Sequence, residues 1–294
     1  MHCPRLDHFV RLNPNGTVGR CGHMTSQPQF PTLESMDTSE WLGSIKESMT
    51  RGIWPIECER CMETEQLNGT SIRLNAIKFD QLQKQSDYLI VGGVLDNICN
   101  SACLTCDEQH STLIGGLKSK VYTIVDNSDK FWQLPLDRVV HLDISGGEPS
   151  HSKNYKHILA HLPGSIRSIR LNTNCSSVLE ELWELCSRGI HVTVTVSLDG
   201  IGPVHDLVRW PVKCLKFYGN LQRYMEMPIT LNTWTTVSAL NVDDLPNILE
   251  FVKQHKLDHS YAFLKDPVEL TVENKDTVES KDYIQRLKQD RGIN

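Results

Sequence analysis

The sequence predicts an α/β fold, a partial (β/α)6 barrel with a small loop-rich N-terminal module. Three observations predict it. Residues 86–265 alternate apolar, β-branched runs with amphipathic stretches, as repeated β-α units with a parallel sheet do. The run Ile190 to Ser197 places Val192, Val194 and Val196 on one side and His191, Thr193, Thr195 and Ser197 on the other. That is a strand with helices over its valine face and a polar row lining the concave side. Residues 1–85 carry few strand signals and one clear helix, near Ser39–Arg51, that stops at Gly52. Such a stretch buries little apolar surface unaided and needs a staple. The expected organisation is a module over 1–85, the barrel over 86–265 and a helical tail over 266–294.

Within the barrel segment, strands are expected at Leu89–Leu95, Val139–Ile144, Ile166–Leu171, Ile190–Ser197, Ile229–Val237 and His259–Phe263. Between them, Ser177 and Glu180 have capping-box spacing and Gly189 closes the helix they start. Leu245, Ile248, Leu249 and Val252 form the apolar stripe of another helix. Six units are visible rather than eight, so the barrel should be open. Asn172, Asn174, Thr230 and Asn232 would extend its polar lining.

The net charge of −6 over 294 residues offers no basic face to a phosphate backbone, which weighs against nucleic acid as a partner. The N-terminus, Met1-His2-Cys3-Pro4-Arg5, has no apolar signal core, and the longest apolar run, Tyr88 to Leu95, is too short to span a membrane. A soluble cytoplasmic protein is expected. In that reducing compartment ten cysteines point to metal binding before disulfides.

Cys99, Cys103 and Cys106 follow the first strand in a C-x3-C-x2-C loop. Three such thiolates can hold three corners of a [4Fe–4S] cluster and leave the fourth iron open; the alternative is three unrelated buried thiols. Asp143-Ile144-Ser145-Gly146-Gly147-Glu148-Pro149 then ends the second strand. A cysteine loop after one barrel strand and a Gly-Gly-Glu after the next resemble the radical S-adenosylmethionine (radical SAM) enzymes. The resemblance implies that Cys99, Cys103 and Cys106 hold a cluster with SAM at its open iron. Gly146 and Gly147 would let backbone approach the methionyl ammonium, with the Glu148 carboxylate nearby. SAM would be reductively cleaved to a 5′-deoxyadenosyl radical that abstracts hydrogen from a small-molecule or peptide substrate, with flavodoxin or ferredoxin as external donor. Ser197-Leu198-Asp199-Gly200, with His205, Asp206 and Arg209 behind it, resembles the fourth-strand signature of SPASM and twitch enzymes. It implies Ser197 and Asp199 at the SAM ribose and carboxylate. Arg209 is either a carboxylate partner or a surface ion pair, and His205 reads as structural.

The staple of the N-terminal segment would be Cys3, Cys21, Cys58 and Cys61. Their C-x12-G-x4-C pattern with a distant C-x2-C resembles the twitch auxiliary module, which in most relatives follows the barrel and here precedes it. Four cysteines would saturate a second [4Fe–4S] cluster and favour electron relay over substrate ligation; structural zinc is the alternative. Cys186 and Cys214 fall on apolar helical stripes and read as core thiols, while Cys175 ends a strand and could face either core or site. A two-cluster electron-transfer or binding protein without turnover competes with the enzyme, but it needs neither Gly-Gly-Glu nor Ser-Leu-Asp-Gly. Modification of a nucleobase is a minor third reading.

Overall fold

The computed structural model describes residues 1–293, which build one open sheet in the order β2-β1-β3-β4-β5-β6-β7-β8. The strands are β1 Phe9–Leu12, β2 Val18–Gly19, β3 Leu89–Val94, β4 Val139–Ser145, β5 Ser168–Thr173, β6 His191–Ser197, β7 Thr230–Val237 and β8 Asp258–Phe263. All neighbours are parallel except the β1–β2 pair. The six strands from β3 to β8 are those the apolar runs predict, within a residue or two at each end. The sheet is larger than expected, with eight strands in place of six. β1 pairs in parallel with β3, from Phe9 opposite Ile90 to Leu12 opposite Gly93, and so carries the N-terminal segment into the sheet. Four residues are too few to show a period, which is why β1 is silent in the sequence.

Alternation along each strand sorts the faces. Val91, Leu142, Ile144, Ile169, Leu171, Val192, Val194 and Val196 are buried against the connecting helices. Facing them are Tyr155 and Ile158 of Lys153–Ala160, Leu182 of Glu181–Ser187, Phe217 and Leu221 of Cys214–Met225, and Ile248 of Leu245–Gln254. Each fully buried aliphatic or aromatic side chain of this layer contributes about 1.5–3 kcal/mol. Leu42, Ile45 and Met49 of the helix Glu40–Thr50 join the same core, and Ser39 caps that helix by accepting from Leu42 N. The sheet's other face carries His141, Asp143, Ser145, Arg170 and Asn172 and lines a cavity.

Two local expectations change. The helix after β5 begins with Glu180 as N-cap and no side-chain cap, so there is no capping box at Ser177. Ser177 Oγ instead donates to Ser150 Oγ at 2.8 Å, drawn into a polar network around Glu148. Leu249 is 42% exposed, leaving Ile248 and Val252 as the buried stripe of its helix. Past β8, the chain forms the helix Val278–Asp290, capped by Thr277, whose Leu287 meets Leu270 and Leu104 of the cysteine loop. No described helix is long and apolar enough to cross a membrane.

Candidate active site with two cysteine sets

The cysteine loop leaves the end of β3 and is fastened from several sides. Asp96 Oδ1 accepts from Ile98 N at 3.0 Å, and Ser152 Oγ donates to Asp96 Oδ2. Asn174 Nδ2 donates to Asn100 Oδ1 and Ser101 Oγ, and Ser111 Oγ donates to the Ser101 carbonyl. Ala102 N and Leu104 N donate to the carbonyls of Trp210 and Val208. From the C-terminal end, buried Arg291 donates to the carbonyls of Ala102, Cys103 and Cys106. The sequence gives no hint of this clamp, because 185 to 189 residues separate the partners. Arg291→Ala should leave those carbonyls without their cationic donor and lower stability by about 2–4 kcal/mol. The check is denaturant unfolding.

Burial pushes the Asp96 carboxyl up to about 6, against the bonds from Ser152 and Ile98 that favour its charge. Between about pH 4 and 6 the folded chain therefore keeps a proton that the unfolded chain releases. This contribution is fully present below about pH 4 and is lost as pH rises through 6, on the order of 2–3 kcal/mol. Asp96→Asn should remove that component, read as the variant-minus-parent difference in unfolding midpoint across this range.

Cys99, Cys103 and Cys106 line one pocket of about 200 Å³ with Gly146, Gly147, Ser197 and Arg209. Gly146 and Gly147 have φ of +87° and +47°, and a Cβ on either would press within 2.6 Å of Val94 or of the Ile98 carbonyl. The Gly-Gly turn thus lies directly against the root of the cysteine loop, where only glycine fits. Glu148 N closes the contact by donating to the Ile98 carbonyl at 2.8 Å.

The Glu148 side chain does not face the pocket. It is buried, and its carboxylate accepts from Ser150 N, Ser150 Oγ, Thr173 Oγ1 and Asn174 N. It ties the Gly-Gly turn to the end of β5 and is placed as a strut. Asp199 likewise stands behind the pocket, accepting from Thr236 N at 2.8 Å and from Arg209 at 3.2 Å. Burial raises its carboxyl pKa, with Arg209 opposing. Ser197 reaches the pocket wall itself. Arg209, expected as either of two things, is a buried guanidinium paired with Asp199 and turned to the three cysteines, with its Nε unpartnered. Burial opposes its charge, while Asp199 and, once ionised, Cys103, Cys99 and Cys106 favour it. Burial and mutual proximity push the Cys99 and Cys106 thiols up to about 12. They would lose their protons only to a positively charged guest bound at sulfur.

The second set is equally local in space. Cys3, Cys21, Cys58 and Cys61 are all buried and line one small cavity with Leu6, Met24, Met49 and Trp54. Burial, with the neighbouring Cys3, Cys21 and Cys61, pushes Cys58 up to about 12, and burial takes Cys3 to about 11. Among the described residues, no three His, Cys, Asp or Glu side chains close on a single point as the ligands of one ion do. The remaining cysteines serve the core: Cys175 is buried with Sγ toward the Phe217 carbonyl, and Cys214 Sγ accepts from Gly202 N. Cys186 is half-buried beside the Pro228 carbonyl. His205 is buried against Phe217 without a ring-nitrogen partner.

A cavity of about 570 Å³ lies on the polar face of the sheet and shares walls with both cysteine pockets. His110 and Asn172 belong to it and to the Cys99–Cys103–Cys106 pocket, while Arg5 and His23 belong to it and to the four-cysteine pocket. Asn172 extends the lining as its strand position predicts, and Asn174 is spent on holding the loop. Thr230 is exposed away from both.

No protein-family model matches the chain. It is 29% identical over 119 residues to the 7-carboxy-7-deazaguanine synthase of Aquifex aeolicus, covering 40% of this chain and 51% of the relative. It is 27% identical over 136 residues to the GTP 3′,8-cyclase of Brucella ovis, covering 44% of this chain and 36% of the relative. Among solved structures, anSMEcpe with bound AdoMet gives a TM-score of 0.47 at 16% identity over 60% of this chain and 53% of that one. Streptococcus suis SuiB bound to S-adenosylmethionine gives 0.46 at 16% identity over 96% and 68%. These two likenesses carry no weight on function. The chain spans about half or less of the curated relatives it matches.

Proposed function

We propose that this chain is a radical SAM enzyme of the twitch type. It would hold one [4Fe–4S] cluster at Cys99, Cys103 and Cys106 with SAM beside it, and an auxiliary cluster at Cys3, Cys21, Cys58 and Cys61. The observation that supports this best is the convergence of three cysteines, two side-chain-free glycines, Ser197 and a buried guanidinium on one pocket. The residues suit the group: soft thiol donors, an open side, and an Arg209 Nε with no partner of its own. When bound, the cluster and SAM supply the electron and the carbon radical that removes a substrate hydrogen.

The chain's own residues then have distinct tasks. The Gly146-Gly147 turn brings bare backbone to the pocket wall. Glu148 fixes that turn to β5, Asp199 aims Arg209, and Arg209 balances thiolate charge in a buried setting. The fastened loop keeps the three sulfurs in place, and the polar cavity beside them would orient a substrate, which a carbon radical needs more than acid–base help. The four-cysteine cavity at the other end of that space suits a relay for the substrate's electron.

The test is anaerobic reconstitution. Roughly eight irons per chain are expected, the sum of two four-iron cubes, with conversion of SAM to 5′-deoxyadenosine and methionine under dithionite. Replacing Cys58 and Cys61 together with alanine should remove about half of the iron and lower the unfolding midpoint of the N-terminal segment. Four irons with stoichiometric zinc would assign the other metal to that cavity, and full loading without 5′-deoxyadenosine would favour an electron-transfer protein.

A further inference from the structure

We propose that the cavity between the two cysteine sets takes a small molecule carrying a carboxylate or phosphoryl group, held by Arg5 and Arg11. The inference rests on the reading above only in taking that molecule to be the substrate. Three guanidiniums line the cavity, from Arg5, Arg11 and Arg170, against a single carboxylate, Asp143. Arg170 and Asp143 answer one another, Nε to Oδ1 at 3.4 Å. Arg5 and Arg11 have no carboxylate partner among the described residues, although the chain carries more acids than bases. Arg5 lies 3.6 Å over the Phe9 ring, and its Nε is buried without any hydrogen-bond partner.

The backbone is shaped to put these groups there. The Phe9 and Arg11 side chains of β1 lie against Gly92 and Gly93 of β3, the strand that feeds the cysteine loop. A Cβ at Gly92 would fall 2.4 Å from the Phe9 ring, and one at Gly93 would fall 2.9 Å from Arg11 Cγ and 2.3 Å from the Leu12 carbonyl. Two consecutive glycines in a parallel strand cost stability, and here they make room for the Phe9 ring, over which Arg5 lies, and for the Arg11 side chain. A half-buried guanidinium without a counterion is costly, and its planar fork matches a carboxylate or phosphoryl oxygen pair. The position suits a substrate, since Arg5 also borders the four-cysteine pocket while His110, beside the other pocket, feels the Arg11 charge. A volume of about 570 Å³ is that of a small-molecule site.

The test is anaerobic titration calorimetry on cluster-loaded full-length protein with pyrophosphate, glutarate and uncharged ribose. Pyrophosphate or glutarate should bind and ribose should not, and the preferred anion tells phosphoryl from carboxylate. Arg11→Gln should weaken that binding by about tenfold or more, Arg11→Lys should restore part of it, and Arg51→Gln, at an exposed helix end, should change nothing. Arg5→Gln should act like Arg11→Gln; if it loses iron, Arg11 decides alone. Absence of binding by both anions, unchanged affinity in Arg11→Gln, or binding of an acidic peptide where neither small anion binds overturns the proposal. Substrate-free 5′-deoxyadenosine formation is measured in the same preparations. SAM cleavage without anion binding removes this inference alone, and anion binding without SAM cleavage removes the reaction and leaves the site.

Discussion

Cys103→Ala should lose about half of the bound iron and bring 5′-deoxyadenosine formation down to background. All three of the proposed ligands in the loop would be needed, because no spare thiol stands near. Cys175 Sγ points to the Phe217 carbonyl inside the core, and Cys214 Sγ holds Gly202 N in another turn. The fold should survive, since the loop is fastened through its backbone. Arg291 still reaches the carbonyl of residue 103, and Ala102 N and Leu104 N still reach Trp210 and Val208. Iron content, activity and far-ultraviolet circular dichroism measured together separate this outcome from unfolding. A variant with its full iron and its turnover would mean that Cys103 is no ligand, and Cys99→Ala and Cys106→Ala would then be expected to behave the same way.

Gly147→Ala is expected to weaken SAM binding at least about tenfold and to lower stability by about 2–4 kcal/mol. A methyl group there would lie 2.6 Å from the Ile98 carbonyl and 2.8 Å from Asp96 Oδ1, on a backbone with φ of +47°. Both neighbours are rigidly held, Asp96 by Ser152 and Ile98 by Glu148 N, so neither can yield cheaply. The displacement would pass directly to Cys99 and to the wall of the pocket. Gly146→Ala meets the same obstacle, at 2.6 Å from Val94 Cγ1 and 2.7 Å from the Asp96 carbonyl. Gly164→Ala, with nothing within 4 Å, is the control and should be neutral within about 0.5 kcal/mol. Equilibrium SAM binding and thermal midpoints read both effects. A Gly147→Ala protein with unchanged SAM affinity would show that this turn is not part of the pocket.

The sequence by itself determined the strands from β3 to β8, the loop of Cys99, Cys103 and Cys106, and the Gly-Gly turn. Each is a pattern within a few residues: apolar runs, a cysteine spacing, a pair of glycines at a strand end. The valine alternation of Ile190 to Ser197 likewise told the covered face of the sheet from the polar one, because side-chain direction in a strand is a local property. Only the tertiary structure decided what those pieces face. It seated β1 beside β3, across 80 residues of chain, and so brought Arg5 and Arg11 to the cavity. It turned Glu148 away from the pocket onto Ser150, Thr173 and Asn174, and set Asp199 behind Arg209. It also returned Arg291 from the C-terminal end to the cysteine loop. The physical reason is the same in each case. A strand of four residues has no readable period, and a buried carboxylate or guanidinium is oriented by whichever donors and acceptors the fold delivers to it. Apart from Ser150, two positions from Glu148, those partners lie 10 to 189 positions away, where local pattern carries no information.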